Sequence, residues 1–227
     1  RGGGGNFGVV TRFRFRMHDL GPVAIRRWTC PVPAVAETLM RYRDAAGAAP
    51  RELTTAFVAS QDGVTLRAIM SGPTANVAAL ERFSFPGTVP DPRVGMTFVE
   101  LQRASDELVP WGRRYYSKGG FLAAMDDRVI AVIVDALNEM PLPGLEVYCL
   151  QLGGAVADID DEATAYSGRA ATFYWISQGV WDSPDDDERA IAWCRRTARR
   201  LGELSMSANY VNEQADTGVA HSAYGEP

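Results

Sequence analysis

Residues 53–70 read LTTAFVASQDGVTLRAIM, and this stretch is the strongest indication of the fold class. Apolar residues recur at every second position on both sides of the tripeptide Gln61-Asp62-Gly63. A period of two is typical of a β-strand with one buried face, and an Asp-Gly step between two such runs indicates a tight turn. The sequence therefore predicts an antiparallel β-hairpin here.

Further strands and helices flank this hairpin without strict strand–helix alternation. Period-two patterns predict strands over the ranges 9–20, 22–30, 145–152 and 170–178. The second of these is expected to pair with the first across a Gly21-Pro22 turn. Apolar spacing with start and stop signals predicts helices over the ranges 35–47, 77–83, 97–109, 126–140 and 183–201. Because hairpins dominate, we expect an α+β fold, a large antiparallel sheet with helices packed on one face.

Two of the predicted helices begin with capping signals. Thr97 and Glu100 have the spacing of a capping box, in which each side chain bonds to the backbone of the other residue. Ser183 and Pro184 begin the last helix, and three aspartates follow at the positive end of its dipole. We interpret the arginine cluster near its other end as solvated helix surface rather than an anion site: Arg195, Arg196, Arg199 and Arg200.

The composition excludes several classes of function. Of the 227 residues, 46% are hydrophobic and 22% are charged, which is typical of a globular protein. The net charge of −5 argues against a nucleic-acid partner, because there is no excess of cations to displace counterions. No apolar run reaches membrane-spanning length, so no membrane partner is expected. Three separated cysteines and two histidines show no metal-ligand spacing, so no metal is expected.

A glycine-rich segment, RGGGGNFGVVT at residues 1–11, precedes the first predicted strand. A dinucleotide fingerprint or a P-loop needs its glycines between a strand and a helix, which this order does not provide. The glycines instead indicate a backbone that passes close to a bulky group. A flexible linker is the alternative interpretation.

Several motifs resemble those of a known enzyme family. In chain order they are GGGGNFGVVT at 2–11, FVELQ at 98–102 with GRRYYSK at 112–118, LGGA at 152–155, TAY at 164–166 with Arg169, and YVN at 210–212. Together they resemble the FAD-linked oxidoreductases of the berberine bridge enzyme type, within the vanillyl-alcohol oxidase superfamily. One departure is Gly168, which stands where a histidine commonly precedes the arginine in this family.

The resemblance implies a division of the chain and a set of partners. Residues 1–20 would close a flavin-binding domain, residues 21–206 would form a substrate-binding domain, and residues 207–227 would begin a segment that returns to the flavin domain. The expected cofactor is FAD, held mostly by an N-terminal domain outside this chain. That domain and a small-molecule substrate are the expected partners. If the apolar face at residues 2–10 stays uncovered, we expect homodimerisation or aggregation.

The resemblance also assigns roles to individual residues. The expected flavin contacts are Gly4, Gly5, Asn6, Phe7, Gly8, Val10 and Asn212. Tyr210 is expected to take a proton from the substrate hydroxyl, with Tyr148 and Glu146 as further catalytic candidates. Lys118 and Tyr116 are expected to contact the substrate.

Ordinary structural roles stand beside these assignments. Glu146 and Tyr148 share one face of the strand 145–152, as residues of a solvent-facing strand also do. Without the resemblance, Tyr210 is a core or rim aromatic, and Lys118 is a solvated loop residue.

Two hypotheses of function follow. The first is the substrate-binding part of a flavin-dependent oxidase or dehydrogenase that oxidises an alcohol group of a sugar, an aromatic alcohol or a natural-product intermediate. The rival is a non-catalytic binding module, or a subunit that docks onto a separate flavoprotein. An unrelated transferase or hydrolase is disfavoured, because the sequence has no nucleophile elbow, no paired catalytic carboxylates and no histidine base.

Overall fold

A large antiparallel sheet forms the centre of the molecule. The computed structural model describes residues 2–18, 20–71, 80, 85, 89–104, 106, 110–208, 210 and 212. Its strands are β1 (Val23–Cys30), β2 (Leu53–Ser60), β3 (Gly63–Met70), β4 (Val89–Met96), β5 (Arg114–Leu122), β6 (Leu145–Gln151) and β7 (Phe173–Trp181). Their order across the sheet is β4-β1-β3-β2-β6-β7-β5, and each neighbouring pair is antiparallel.

Helices cover one face of this sheet. The described residues form α1 (Val35–Gly47), α2 (Phe98–Arg103), α3 (Asp127–Asn138) and α4 (Asp187–Gly202). Helix α4 packs on β5 and β7, and α3 contacts both α1 and α4. The apolar sides of α1, α3 and α4 and the facing side of the sheet enclose one large hydrophobic core. The side chains on this face of the sheet therefore contribute to the stability of the fold.

Buried polar groups in this core have partners that fix the helices to their neighbours. The Tyr42 hydroxyl of α1 lies 2.9 Å from Thr55 Oγ1 of β2, and its ring meets Phe57 edge to face. In α4, the indole Nε1 of Trp193 donates to the carbonyl oxygen of Ala136 in α3 at 3.0 Å. Leaving such a group unpaired would cost about 1–3 kcal/mol, so these contacts fix the orientation of the helices as well as their burial.

Most of the predicted elements are confirmed. The α+β fold and the hairpin of β2 and β3 are present, and α1, α3, β6 and β7 begin within a few residues of the expected positions. The capping box is present, since Thr97 Oγ1 accepts from the Glu100 amide and Glu100 Oε2 accepts from the Thr97 amide. Helix α4 begins after a 3-10 turn, Pro184–Asp186, that Ser183 caps. The helix predicted over 97–109 is described as α2 only up to Arg103, and its Leu101 is partly buried.

The strand predicted over 9–20 is wrong. The described residues of this range, 9–18 and 20, belong to no strand, and the side chains of Phe13, Phe15 and Met17 are exposed. β1 pairs with β3 and β4 instead of with this segment. A strand needs neighbouring backbone for its hydrogen bonds, and the described part of the chain offers this segment none. The helix predicted over 77–83 lies outside the described residues, apart from Leu80.

The other face of the sheet is only partly covered. Along β6, Leu145, Val147 and Cys149 point into the helix-covered core, whereas Glu146, Tyr148 and Leu150 point away from it. A smaller apolar cluster lies on this second face and is centred on Phe121, Ala171, Tyr174 and Ile176. We call this second face the open face of the sheet. Of the helices described, none is both long and apolar enough to cross a membrane.

Candidate active site

A cavity of about 530 Å³ lies on the open face of the sheet. Its lining is mainly apolar and aromatic and consists of Gly2, Phe121, Tyr148, Leu150, Leu152, Val156, Tyr166, Arg169, Tyr174, Ile176 and Tyr210. Ligand pockets typically have this size and an apolar lining with a few polar groups. This cavity is therefore our candidate active site.

Strand register brings the cavity residues together. Tyr148 of β6 lies opposite Ile176 of β7, and Leu150 lies opposite Tyr174. Tyr174 in turn lies opposite Phe121 of β5. Because side chains alternate along a strand, these five residues from three strands share the open face. The alternation seen in the sequence of β6 is thus the local reason why Tyr148 reaches the cavity.

Tyr148 is the best-defined polar group of the cavity. Its hydroxyl accepts a hydrogen bond from the Arg67 guanidinium of β3 at 3.3 Å. Burial raises the pKa of Tyr148 above its ordinary value, and the nearby Arg67 charge offsets only part of that rise. The phenol is therefore protonated at neutral pH. With its oxygen already accepting from Arg67, its own proton can be donated towards the cavity.

Tyr210 lies at the rim of the same aromatic cluster. Its ring meets Tyr166 and Tyr174 in edge-on contacts, with centroids 5.9 and 6.1 Å away. Asn212 Nδ2 donates to the Tyr210 hydroxyl at 2.9 Å. The catalytic role of Tyr210 and the flavin contact of Asn212 stay predictions.

Glu146 shares the open face with Tyr148 but is not a cavity residue. Its Oε1 accepts a hydrogen bond from Gln178 Nε2 at 2.5 Å, and Gln178 is its register partner in β7. The expectation that Glu146 and Tyr148 share a face is confirmed. A catalytic role for Glu146 stays a prediction, and the Gln178 contact gives the carboxylate a structural partner.

Tyr116 and Lys118 lie on the helix-covered side of the sheet, away from the cavity. The register of β5 and β7 pairs Lys118 with Ser177, whose hydroxyl donates to a carbonyl oxygen of α4. The Tyr116 hydroxyl accepts from Arg195 Nε of α4 at 3.0 Å. The substrate contact predicted for this pair does not fit the cavity, because the even-numbered positions of β5 face the helices. Neither residue lines the cavity, and the substrate contact expected for Tyr116 and Lys118 stays a prediction.

The glycine-rich segment forms a 3-10 turn, Gly4–Phe7, near the cavity. Gly2 lines the cavity and approaches Tyr166 closely, since a Cβ built on Gly2 would lie 2.7 Å from the Tyr166 amide nitrogen. This contact agrees with a backbone that passes close to a bulky group. Gly8 has a φ of +141°, a value that favours glycine, so the segment is more than a linker of small residues.

The backbone around this turn has room for a planar group. A Cβ built on Gly5 or Gly8 would meet no described atom within 4 Å. The side chains of Phe7 and Val10 are exposed, and nothing is described of the Asn6 side chain. Open glycine backbone beside an aromatic cavity fits the edge of a flavin ring. The flavin contacts assigned to Gly4, Gly5, Asn6, Phe7, Gly8 and Val10 nevertheless stay predictions.

Two arginines of the site were not singled out as site residues from the sequence. Arg67 reaches Tyr148 from the neighbouring hairpin, and only its odd position in β3 indicates that it shares the open face. Arg169 lines the cavity, its guanidinium lies over the Tyr166 ring, and it donates to Thr164 Oγ1 at 2.6 Å. No group of three or more potential metal ligands occurs among the described residues.

The comparisons with known proteins give a sequence relative and solved structures of the same fold. No protein-family model matches the chain. An FAD-linked oxidoreductase of Dictyostelium discoideum is 28% identical over 199 residues, which cover 85% of this chain and 44% of that protein. The wild-type BBE-like 1 enzyme of Physcomitrella patens has the same fold, with a TM-score of 0.76, 16% identity, and coverage of 93% of this chain and 50% of that one.

Two further solved structures share this fold. Aclacinomycin oxidoreductase has a TM-score of 0.71 and 18% identity, over 92% of this chain and 49% of that one. A glycopeptide hexose oxidase complexed with teicoplanin has a TM-score of 0.70 and 17% identity, again over 92% and 49%. The chain spans about half the length of the proteins it matches. The chain is therefore similar in sequence to an FAD-linked oxidoreductase and shares the fold of BBE-like oxidoreductases.

Proposed function

We propose that this chain forms the substrate-binding part of an FAD-linked oxidoreductase that oxidises an alcohol group of an aromatic alcohol, a sugar or a natural-product intermediate. The observation that carries the proposal is the aromatic cavity on the open face, whose four tyrosines include the two phenols that we assign to the reaction, Tyr148 and Tyr210. Each phenol oxygen accepts a hydrogen bond from a neighbouring side chain, Tyr148 from Arg67 and Tyr210 from Asn212. The relatives support the class of reaction.

The residues of this chain would contact FAD at one side of the cavity. Gly5 and Gly8 would offer open backbone there, and Asn212 would offer its side-chain amide. When bound, FAD supplies the hydride acceptor that amino-acid side chains lack. The contribution of the chain would then be to bind the alcohol, to orient it and to accept its hydroxyl proton.

The two phenols would divide the work on the substrate hydroxyl. Tyr148 is protonated at neutral pH, and it can donate a hydrogen bond that holds the substrate oxygen in place. We assign the acceptance of the hydroxyl proton to Tyr210, whose oxygen already accepts a hydrogen bond from the Asn212 amide. Phe121, Leu150 and Ile176 form apolar walls that exclude water from the reacting group.

The test is anaerobic bleaching of the visible flavin band in the purified protein that carries this chain, on addition of a benzylic alcohol. We expect Tyr210→Phe to lower the bleaching rate about a hundredfold or more, the range for loss of a general base. Tyr148→Phe should lower it about fivefold, the value of one hydrogen bond. The matched control is Tyr115→Phe, because Tyr115 is exposed and donates to the Pro110 carbonyl oxygen away from the cavity.

Two outcomes would contradict the proposal. If Tyr210→Phe and Tyr148→Phe bleach as fast as the control, the cavity is not the place of the reaction. If the purified protein shows no flavin band and takes up none, the rival hypothesis of a non-catalytic binding module holds.

A further inference from the structure

A second polar group of side chains lies on the open face, beyond Tyr148. Arg27 of β1 and Arg67 of β3 are direct register partners, and so are Thr29 and Thr65. Residues two apart on a strand share a face, so the four Cα positions form a rectangle whose side chains all project to the same face. Arg67 also contacts Tyr148, which shows that this rectangle lies on the open face. We call these four residues the arginine–threonine cluster.

The stability of the sheet does not account for this cluster. Like charges directly opposite each other on neighbouring strands are destabilising. Other arginines of the chain relieve their charge in salt bridges, as Arg113 does with Asp182 at 2.6 Å. Neither Arg27 nor Arg67 forms a salt bridge with a carboxylate of the described residues, and both are half-buried. On the other side of Arg27, the register pairs it with Asp91 of β4, so the cluster has at least one positive charge in excess.

The cluster adjoins the candidate active site. The guanidinium of Arg67 lies 3.3 Å from the hydroxyl of Tyr148, and Tyr148 lines the cavity. A ligand that fills the cavity can therefore reach the arginines with a substituent at one end. Guanidinium groups with flanking hydroxyls offer charge-assisted hydrogen bonds, and oxyanions are the ligands that such donors bind most strongly.

We propose that Arg27, Arg67, Thr29 and Thr65 form a subsite for an oxyanion of the substrate, a carboxylate in the first instance. The proposal rests on the proposed function, since it adds a charged end to the alcohol that the cavity holds. The substrate is then an aromatic or polycyclic hydroxy acid, with its apolar body in the cavity and its acid group over the cluster. Arg67 would act at both ends of the substrate, because it would bind the acid group and also orient Tyr148 beside the alcohol group.

A matched pair of probes tests the subsite without any turnover. We would titrate the purified protein with para-(hydroxymethyl)benzoate and with its amide, para-(hydroxymethyl)benzamide, and measure both dissociation constants calorimetrically. The two probes have nearly the same shape and differ in charge. We expect the acid to bind about tenfold more tightly at low salt, and this preference to shrink as salt screens the charges. Inorganic phosphate should compete with the acid and leave the amide unaffected.

Variants separate the subsite from general binding. Arg67→Gln should abolish the preference for the acid. The control variant Arg41→Gln should keep this preference, because Arg41 bonds Glu37 on α1. Arg67→Lys should restore part of it, and Arg27→Gln should reduce it. Equal binding of acid and amide by the wild type, or an Arg67→Gln protein that keeps the preference, would overturn the subsite. Failure of the proposed function has another signature, since the flavin would then not respond to Tyr148→Phe and Tyr210→Phe.

A phosphate-bearing probe distinguishes the two oxyanions. If para-(hydroxymethyl)phenyl phosphate binds at least tenfold more tightly than the benzoate, the subsite is a phosphate subsite and the hydroxy-acid assignment is wrong. Tighter binding of the benzoate supports the carboxylate.

Discussion

Tyr148 is a neutral phenol, and its protonation state determines how the effect of Tyr148→Phe on ligand binding depends on pH. Burial raises its pKa above the ordinary phenol value of about 10. It therefore keeps its proton over the whole range from about pH 6 to pH 9. We expect Tyr148→Phe to weaken binding of the neutral probe para-(hydroxymethyl)benzamide about fivefold, by the same factor at every pH in this range. Calorimetric titrations at several pH values check this.

A penalty that grows or shrinks across this range would show that Tyr148 titrates there. It would then act as a base, and the division of work between Tyr148 and Tyr210 would be wrong. Tyr115→Phe is again the control, and its binding of the probe should match that of the wild type.

Gly119 makes room for one wall of the cavity. A Cβ at this position would lie 2.2 Å from the Tyr174 hydroxyl and 2.9 Å from the Trp175 carbonyl oxygen. Gly119→Ala should therefore destabilise the fold by about 1–3 kcal/mol, the usual range for overpacking. Gly47→Ala is the matched control, since its Cβ would meet no described atom within 4 Å and we expect it to be neutral or slightly stabilising. Urea unfolding of both variants makes the comparison, and equal stabilities would contradict it.

One carboxylate links the first turn of helix α4 to two strands of the sheet. Asp187 at its first residue bonds the Arg114 guanidinium of β5 and accepts from Trp181 Nε1 of β7 at 2.7 Å. The Arg114 contact, with Trp181 second, lowers the pKa of Asp187. A lowered pKa contributes stability above the unfolded value of about 3.9 and loses it as the pH falls through the folded pKa.

We therefore expect Asp187→Asn to lower the melting temperature at neutral pH. The difference from the wild type should fade as the pH falls below about 4. Thermal unfolding across this range is the measurement. The control is Asp185→Asn, because Asp185 lies in the turn before α4 and no salt bridge or side-chain bond is described for its carboxylate. A penalty for Asp187→Asn that persists at the lowest pH would contradict the charge argument.

The sequence predicts elements well where one face is buried and the turns are explicit. The hairpin of β2 and β3 and the helices α1, α3 and α4 satisfy both conditions. β4 was missed because its sequence, VPDPRVGM, contains two prolines, which a strand tolerates at the edge of a sheet. β5 was missed because Gly119 and Gly120 break its pattern, although they leave room for Tyr174 and Trp175.

The face on which a strand residue lies was predictable only where the alternation of that strand was recognised. Tyr148 was placed on the correct face because the alternation of β6 is regular. No face could be assigned to Tyr116 and Lys118, since their strand was not predicted and a shift of one residue exchanges the two faces. Arg67 was missed because its partner Tyr148 is distant in the sequence, and no local pattern reports a contact across two strands.

At the scale of the whole molecule, the segment 7–17 is the most unusual surface. Phe13, Phe15 and Met17 are 67%, 74% and 87% exposed, and the two phenyl rings stack on each other at 5.4 Å. Contiguous exposed apolar side chains of this kind favour association. We expect the purified chain alone to self-associate as its concentration rises, and the double variant Phe13→Ser/Phe15→Ser to stay monomeric. Analytical ultracentrifugation is the measurement, and a wild type that is monomeric at every concentration would contradict it.

The two faces of the sheet have a consequence for how such a protein can diversify. Neighbouring positions of β6 have different surroundings. Val147 and Cys149 are buried in the helix-covered core, whereas Tyr148 and Leu150 line the cavity. Substitutions at every second codon can therefore reshape what is bound while the intervening codons preserve the architecture. Proteins with this sheet could therefore change their ligand by single substitutions on the open face without losing the fold.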